Sequence, residues 1–388
     1  MTPALAALAV VATLLATGLG TLVQPAPPTP AYVGSTACAT CHRAVYARWK
    51  DTRMANVVRD PATHPDAFLP DFSKPDPLLT FTKADVAFVY GSKWKQRYFA
   101  REGDDFVPLP AQWDVAAGRW RPYDAHGPTS QRCDGCHSVN FDVRTKTVTE
   151  WNVGCERCHG PGGDHVARPS RATIVNPARL DPIRATDTCI QCHSEGEAIA
   201  TPDGRPYAWP VGFHMGGSLA DFWRLARATP GRAAGPFYAD GTGRENRLQG
   251  NDFVQSVMYT RGVTCFACHD PHGNGTRSEL VKPAGVLCLT CHGPRSPNGP
   301  HAPTVEAHTQ HAGSSPGSEC VNCHMPAIQT MLGEARVRSH TFRFIRPSDT
   351  DTLGVPNPCT TCHTDRSTAW ATAALKTWPA FSPWRVAP

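Results

Sequence analysis

Eight copies of one short motif, Cys-x-x-Cys-His, use every cysteine of this chain. The cysteine pairs are Cys38/Cys41, Cys133/Cys136, Cys155/Cys158, Cys189/Cys192, Cys265/Cys268, Cys288/Cys291, Cys320/Cys323 and Cys359/Cys362. The histidines that follow them are His42, His137, His159, His193, His269, His292, His324 and His363. Two thiols at positions i and i+3 can add to the two vinyl groups of one haem, and the adjacent histidine can bind its iron from the proximal side. The motifs therefore predict eight covalently attached haem c groups.

Other sites that use paired cysteines do not explain this pattern. Zinc knuckles, redox dithiols and disulfide frameworks all contain Cys-x-x-Cys. None of them requires a histidine directly after the second cysteine eight times. Because no cysteine lies outside the motifs, the sequence leaves none for a disulfide, an iron–sulfur cluster or a lipidated N-terminus.

The number of haems also limits the kind of fold. With roughly one haem for every 50 residues, much of the core must be porphyrin rather than side chains. The 37 prolines and 32 glycines interrupt the chain often and leave few long periodic runs. We expect a mainly α-helical fold with much irregular structure, wrapped around a stack of eight haems. A small β-meander is predicted near residues 80–121.

The N-terminal segment predicts export. Met1–Leu22 is apolar and uncharged, and a proline-rich spacer, Pro25–Pro30, follows it. Two interpretations stay open, a cleaved signal peptide and a retained N-terminal membrane anchor. Since haem is attached to c-type cytochromes outside the cytoplasm, both place the protein in the periplasm or at the cell surface.

The formal charge of +5 does not indicate a nucleic-acid partner. Sixteen haem propionates would bring the charge of the complete protein to about −11. Arg43, Arg132 and Arg157 lie next to motifs and are candidates for pairing with propionates.

Motif spacing predicts an internal repeat and five segments. Motifs two to four and motifs five to seven have nearly the same spacing, and His-Gly-Pro follows the middle motif of each triplet. The predicted segments are a signal or anchor with its spacer (1–30), a first-haem module with a β-rich insertion (31–132), a three-haem unit (133–200), a haem-free covering or docking segment (201–258), and a second three-haem unit with the eighth haem (259–388).

The two haem-free stretches carry different patterns. A helix is predicted at Arg43–Val58, followed by strands over Val86–Tyr90, Trp94–Phe99, Phe106–Leu109 and Gln112–Val115. In the second stretch, a short helix is predicted at Leu219–Ala228.

Nine histidines remain to bind irons from the distal side. His272 follows a motif histidine by three residues, so it points away from its own haem and can reach a neighbouring iron. The other predicted distal ligands are His165, His340, His301, His214, His311 and His126. His308 lies three residues before His311, so one of the two can ligate while the other hydrogen-bonds. His64 is interpreted as a loop residue. Met54 is either a core residue or an iron ligand.

These motifs resemble those of the multihaem cytochrome c superfamily. That superfamily includes tetrahaem cytochromes of ammonia oxidisers, pentahaem nitrite reductase, hydroxylamine oxidoreductase and octahaem tetrathionate reductase. The resemblance rests on Tyr32–Ser35 before the first motif, Gly160–His165 after the third, and Met325-Pro326 after the seventh, and it covers roughly residues 32–378. It implies that Met54 takes an axial position often held by histidine. Nitrite reductases replace one motif histidine with lysine at the catalytic haem, whereas all eight motifs here end in histidine.

Three functions remain open at this point. The first is electron transfer along a haem chain in extracytoplasmic respiration, with a quinol-side donor and a terminal reductase or other cytochromes as redox partners. The second is a multihaem oxidoreductase that acts on nitrite, hydroxylamine or tetrathionate at one haem without a distal ligand. The third is a subunit that self-assembles into a conductive extracellular filament.

Overall fold

The structure is a computed structural model that describes residues 31–124, 127–276, 278–293, 296–297, 299, 302–329 and 335–379. The apolar segment and its spacer therefore lie outside the described residues. Within the described part of the chain, no helix is both long enough and apolar enough to cross a membrane.

The helices are short, and in the described ranges none exceeds nine residues. The α-helices are Ser35–Ala39 (α1), Arg43–Trp49 (α2), Thr129–Arg132 (α3), Asp134–His137 (α4), Cys155–His159 (α5), Gly163–Ala167 (α6), Pro182–Ile190 (α7), Gln249–Phe253 (α8), Val257–Thr260 (α9), Ala284–His292 (α10), Val305–Thr309 (α11), Cys320–His324 (α12), Pro347–Leu353 (α13), Pro358–Cys362 (α14) and Thr368–Lys376 (α15). Turns of 3₁₀-helix occur at Met54–Asn56, Lys83–Asp85, Pro177–Arg179, Leu219–Asp221, Cys265–Ala267 and Pro316–Ser318.

An antiparallel sheet of five strands forms between the first two motifs. Its strands follow one another in chain order: Val58–Arg59 (β1), Phe88–Tyr90 (β2), Lys95–Glu102 (β3), Asp105–Asp114 (β4) and Arg119–Pro122 (β5). Three two-stranded ribbons complete the described strands: Ser138–Val139 with Glu150–Trp151 (β6, β7), Gly196–Ala198 with Trp223–Leu225 (β8, β9), and Ala327–Gln329 with Arg336–Arg338 (β10, β11).

The two faces of the five-stranded sheet bury different clusters. Tyr98 and Trp120 belong to an aromatic core on one face. Phe99 and Tyr90 belong to a second cluster on the other face, against which Cys133 of motif two packs. Successive strand residues point to opposite faces, so the two clusters follow from the aromatic alternation in the sequence. The sheet therefore lies directly against motif two.

The expectation of a mainly α-helical fold is only partly right, because helices and strands are mixed. The helix predicted at Leu219–Ala228 is wrong: this stretch forms a 3₁₀ turn and then strand β9. Trp223 is buried there, and its indole N–H donates to the hydroxyl of Ser194. Burial of one large ring on a strand outweighs the weak helix propensity of the segment. The helix predicted at Arg43–Val58 ends at Trp49.

Strand β4 merges two predicted strands. The sequence predicted Phe106–Leu109 and Gln112–Val115 as separate, but Asp105–Asp114 is continuous despite two prolines. It pairs with β3 across an irregularity in register between Arg97 and Phe99. An irregularity of this kind lets a long pair of strands bend around what it covers.

Candidate haem-binding sites

Each motif folds as one tight turn. In motif one the backbone N–H of His42 donates to the carbonyl of Cys38 at 2.9 Å, and in motif eight the N–H of His363 donates to the carbonyl of Cys359 at 2.7 Å. A turn of this type places residues i, i+3 and i+4 on one side. Both thiols and the imidazole of a motif therefore face the same direction, as the attachment of one haem requires.

The second thiols of three motifs lie at the surface of the described chain. Cys41, Cys291 and Cys362 are exposed, whereas the other thirteen cysteines are buried or half-buried. The physical reason is sparse packing around these turns; helix α10, which carries Cys291, has no buried residue at all. A haem bonded to such a thiol would itself cover the sulfur, so exposure does not conflict with attachment. The attachment of haem to Cys41, Cys291 and Cys362 stays a prediction, and it places the edges of these three haems near the protein surface.

Five motif histidines each face a second histidine from outside the motifs. The ring centres are 6.3 Å apart for His42 and His165, 6.1 Å for His159 and His272, 6.5 Å for His269 and His340, 6.3 Å for His324 and His308, and 6.1 Å for His363 and His311. The angle between the two ring planes lies between 9° and 34°. The same separation therefore recurs at five places in the described chain, with four pairs stacked and the His311–His363 pair tilted.

This distance fits an iron held between two imidazoles. A nitrogen–metal bond of about 2 Å on each side, with about 1.2 Å from each nitrogen to its ring centre, separates the centres by about 6.4 Å. The five observed distances lie within a few tenths of an ångström of that value. The residues present therefore fit haems with two histidine ligands.

The pairs include most, but not all, of the predicted distal histidines. His165, His272, His340 and His311 each face a motif histidine, and so does His308, which the sequence left as the weaker of two neighbours. The two neighbours face different motifs because α11 ends between them, at Gln310 with a φ of 56°. The clue available in the sequence was the spacing of three residues, which was interpreted as one ligand and one hydrogen-bonding group.

The remaining candidates are placed differently. His214 is exposed and packs edge-on against Phe222, while His64 is exposed and contacts Thr63. Met54 begins a 3₁₀ turn, and its carbonyl accepts a hydrogen bond from Val153. His126 and His301 lie outside the described residues. The axial roles of His214, His126 and His301 stay predictions, Met54 stays either a core residue or an iron ligand, and His64 was interpreted as a loop residue.

Two motif histidines, His137 and His193, have no histidine ring at this spacing among the described residues. His137 packs against Tyr90, with ring centres 5.6 Å apart, a distance too short for a haem between them. Burial, followed by the charges of Arg247 and Arg97, lowers the pKa of His137 to about 4. His193 is solvent-accessible although burial also lowers its pKa.

Thiols of different motifs touch one another. Contacts join Cys38 to Cys155, Cys136 to Cys192, Cys189 to Cys265, and Cys288 to Cys320. They therefore bring together motifs one and three, two and four, four and five, and six and seven. Since each thiol marks the attachment edge of a haem, the contacts place neighbouring attachment edges side by side.

The environment of the Arg157 side chain is also consistent with bound haem. Its Nε and Nη2 atoms are buried and have no hydrogen-bond partner among the described residues. Buried guanidinium nitrogens without acceptors are rare and costly. A haem propionate is an acceptor of the right charge and shape. Of the three arginines predicted to bind propionates, Arg157 meets this condition, whereas Arg43 and Arg132 are exposed.

Two family models match parts of the chain. Residues 259–296, which contain motifs five and six, match the doubled CXXCH motif. Residues 116–160, which contain motifs two and three, match cytochrome c554 and c-prime.

Two curated proteins are related to the chain in sequence. It is 22% identical over 334 residues to the dissimilatory sulfite reductase MccA of Wolinella succinogenes, covering 65% of this chain and 43% of that protein. It is 24% identical over 211 residues to the multihaem cytochrome MtrA of Shewanella baltica, covering 50% and 59%. The matches thus span about half the length of these relatives.

Solved structures share the fold. The outer cell wall cytochrome OcwA superposes with a TM-score of 0.74 at 24% identity, covering 89% of this chain and 86% of that one. An undecahaem cytochrome from the S-layer of Carboxydothermus ferrireducens superposes with a TM-score of 0.52 at 20% identity, covering 90% and 61%. The solved structures show the shared fold, and the eight motifs with the two family matches and the two sequence relatives show that the chain belongs to the multihaem c-type cytochromes.

Proposed function

We propose that this chain is an octahaem electron carrier of extracytoplasmic respiration. The observation that carries the proposal is the set of five histidine pairs at the spacing of a doubly ligated iron. When bound, each haem supplies a one-electron redox centre. A second histidine occupies the position that a substrate would need, so such a site transfers electrons without binding a reactant.

Contacts between motifs support transfer from one haem to the next. The thiol contacts link motif one to three, and motif two through motif four to motif five. His272, which follows motif five, faces His159 of motif three, so it joins these two groups. Motifs six and seven form a further contact. These contacts join motifs one to five in one group and motifs six and seven in a second.

The names of the structural relatives favour a place outside the cytoplasm. One is called an outer cell wall cytochrome and another comes from an S-layer. We place this chain in the periplasm or at the cell surface. There it would take electrons from a quinol-side donor and pass them to a terminal reductase or another cytochrome. Self-assembly into a filament is the alternative arrangement for the same activity.

Protein-film voltammetry tests the carrier function. The carrier account predicts reversible waves that integrate to eight electrons per chain and do not change when nitrite, hydroxylamine or tetrathionate is added. A wave for substantially fewer electrons contradicts the octahaem assignment. A catalytic current with one of these substrates contradicts a pure carrier.

A second candidate function is reduction of a small nitrogen or sulfur oxyanion. It is favoured by His137 and His193, which lack a facing histidine among the described residues. One curated relative is named as a sulfite reductase. Sulfite therefore joins the three substrates in the voltammetric test.

A further inference from the structure

We infer that the carboxylate of Asp270 lowers the reduction potential of the haem held between His159 and His272, and makes this haem a low-potential step in the chain. This role rests on the proposed carrier function, because the potential of one haem matters when electrons pass from haem to haem. Asp270 acts through His272, so it is a positioning residue and not an iron ligand.

The paired histidines differ in the group that faces Nδ1, the ring nitrogen next to Cγ. Five of them hydrogen-bond through Nδ1 to a neutral backbone carbonyl, at 2.8 Å for His159, 2.9 Å for His269, 2.9 Å for His340, 2.6 Å for His311 and 3.1 Å for His165. His272 instead faces a carboxylate, with its Nδ1 atom 3.2 Å from Oδ1 of Asp270. When Nε2 binds an iron, Nδ1 carries the proton and donates it to the carboxylate.

A carboxylate acceptor changes the electronic properties of an axial imidazole. A hydrogen bond to an ionised acceptor is stronger than one to a carbonyl, so it draws the proton further from the ring and makes the ligand more basic. A more basic ligand stabilises the ferric iron relative to the ferrous iron, and the negative charge of the carboxylate acts in the same direction. The haem held by His269 and His340 provides the comparison, because both of its histidines face carbonyls.

The loop after motif five fixes the carboxylate in place. Oδ1 of Asp270 also accepts from the backbone N–H of His272 at 3.0 Å, and the backbone N–H of Asp270 donates to the carbonyl of Glu279 at 2.8 Å. The Asp270 side chain is 25% exposed, so water screens its charge only in part. The charged groups of Glu279 and Lys93 lie near His269 instead.

A positive charge from the helix after motif one opposes this carboxylate. Arg48 of α2 donates through Nη1 to Oδ2 of Asp270 and to the carbonyl of Gly273, both at 3.1 Å. A Cβ atom on Gly273 would lie 2.9 Å from the carbonyl oxygen of Arg48, so the loop packs directly against the end of α2. The Arg48 side chain is 49% exposed, and water weakens its effect on the carboxylate without removing it. Asp270 and Arg48 therefore act on the same haem with opposite signs.

A redox titration of the complete haem protein, followed by EPR of the low-spin haems, measures this effect. Asp270→Asn keeps an oxygen that can accept from His272 but removes the charge, so the carboxylate becomes a neutral acceptor like the carbonyls. We expect the equilibrium constant for reduction of one low-spin haem to rise about tenfold, which is an upward shift of about 59 mV for one electron. Arg48→Gln removes the opposing charge, and it should shift the same signal to lower potential.

Asp66→Asn is the matched control for the loss of one carboxylate. The Asp66 side chain is 82% exposed and forms an ion pair with Arg59 at 3.5 Å, away from the histidine pairs. No low-spin signal should change its potential in this variant. The number of low-spin haems in each oxidised variant verifies that the chain folds and that His272 still binds its iron.

The possible failures are distinguishable. Unchanged potentials in Asp270→Asn overturn the role of the carboxylate and leave the carrier function intact. Conversion of one low-spin signal to high-spin, or shifts of the same sign in Asp270→Asn and Arg48→Gln, would show that the loop only holds His272 in place, and would also overturn it. Fewer than five low-spin haems in the wild-type protein would contradict the carrier function itself.

Discussion

The substitution Glu156→Gln tests whether the carboxylate of Glu156, in motif three, fixes the backbone segments that lead to motif one and to His165. Glu156 is 3% exposed, and its carboxylate accepts from the backbone N–H groups of Val33, Gly34 and Gly162, at distances down to 2.6 Å. The first two residues lead into motif one. Gly162 leads into the helix that carries His165.

The magnitude follows from the three hydrogen bonds. A hydrogen bond to a charged group contributes about 1.5–3 kcal/mol. Glutamine keeps one acceptor oxygen but turns an N–H₂ donor towards backbone donors, so at least one bond is lost and the others weaken. We expect the free energy of unfolding to fall by about 2–4 kcal/mol. Loosening of His165 should also turn part of one low-spin haem signal into a high-spin signal.

Denaturant unfolding followed by circular dichroism, together with EPR of the oxidised protein, measures both effects. Glu197→Gln is the control, because Glu197 forms only an exposed ion pair. If Glu156→Gln unfolds at the same denaturant concentration as the control and keeps its low-spin signals, the carboxylate does not hold the two motifs together.

Two further predictions follow from the described contacts. His308→Ala and His311→Ala should each convert one low-spin haem to high-spin in EPR, and the double variant two; a silent single variant would show that one histidine only hydrogen-bonds. Tyr90→Phe removes a buried hydrogen bond of 2.8 Å to Asp134 and should cost about 1–3 kcal/mol in thermal unfolding, whereas no change would show that Asp134 finds another donor.

Local chemistry could be predicted from the sequence, and long-range pairing could not. The motifs give the haem attachment, and the position of His272 three residues after a motif histidine indicates that it serves a neighbour. That this neighbour is motif three depends on how distant segments pack. That His308 faces motif seven while His311 faces motif eight depends on one left-handed residue, Gln310, which no periodicity signals.

Which thiols are exposed could not be predicted from the sequence either. The motif spacing is identical at Cys41, Cys291 and the buried Cys136, so it contains no information on which turn lies at the surface. Burial at Cys136 comes from Trp209, which packs against it from a segment more than 70 residues later. A local motif cannot signal a contact of that range.

The sheet gives a third example. Alternating aromatic residues predict its strands, because alternation is a local pattern. The register that sets Arg97 opposite Tyr90 arises only when the strands pair, so the cluster beside motif two has no signature in the sequence. The prediction of a helix at Leu219–Ala228 is wrong for a related reason. Trp223 is buried against Ser194, which lies 29 residues earlier in the chain.

Quantitative EPR of the fully oxidised protein tests the central claim most directly. Five histidine pairs predict at least five low-spin haems per chain, each with two nitrogen ligands, and high-spin signals from at most the three others. A count of fewer than five low-spin haems would contradict the assignment of the histidine pairs as iron ligands, and with it the account of this chain as an electron carrier.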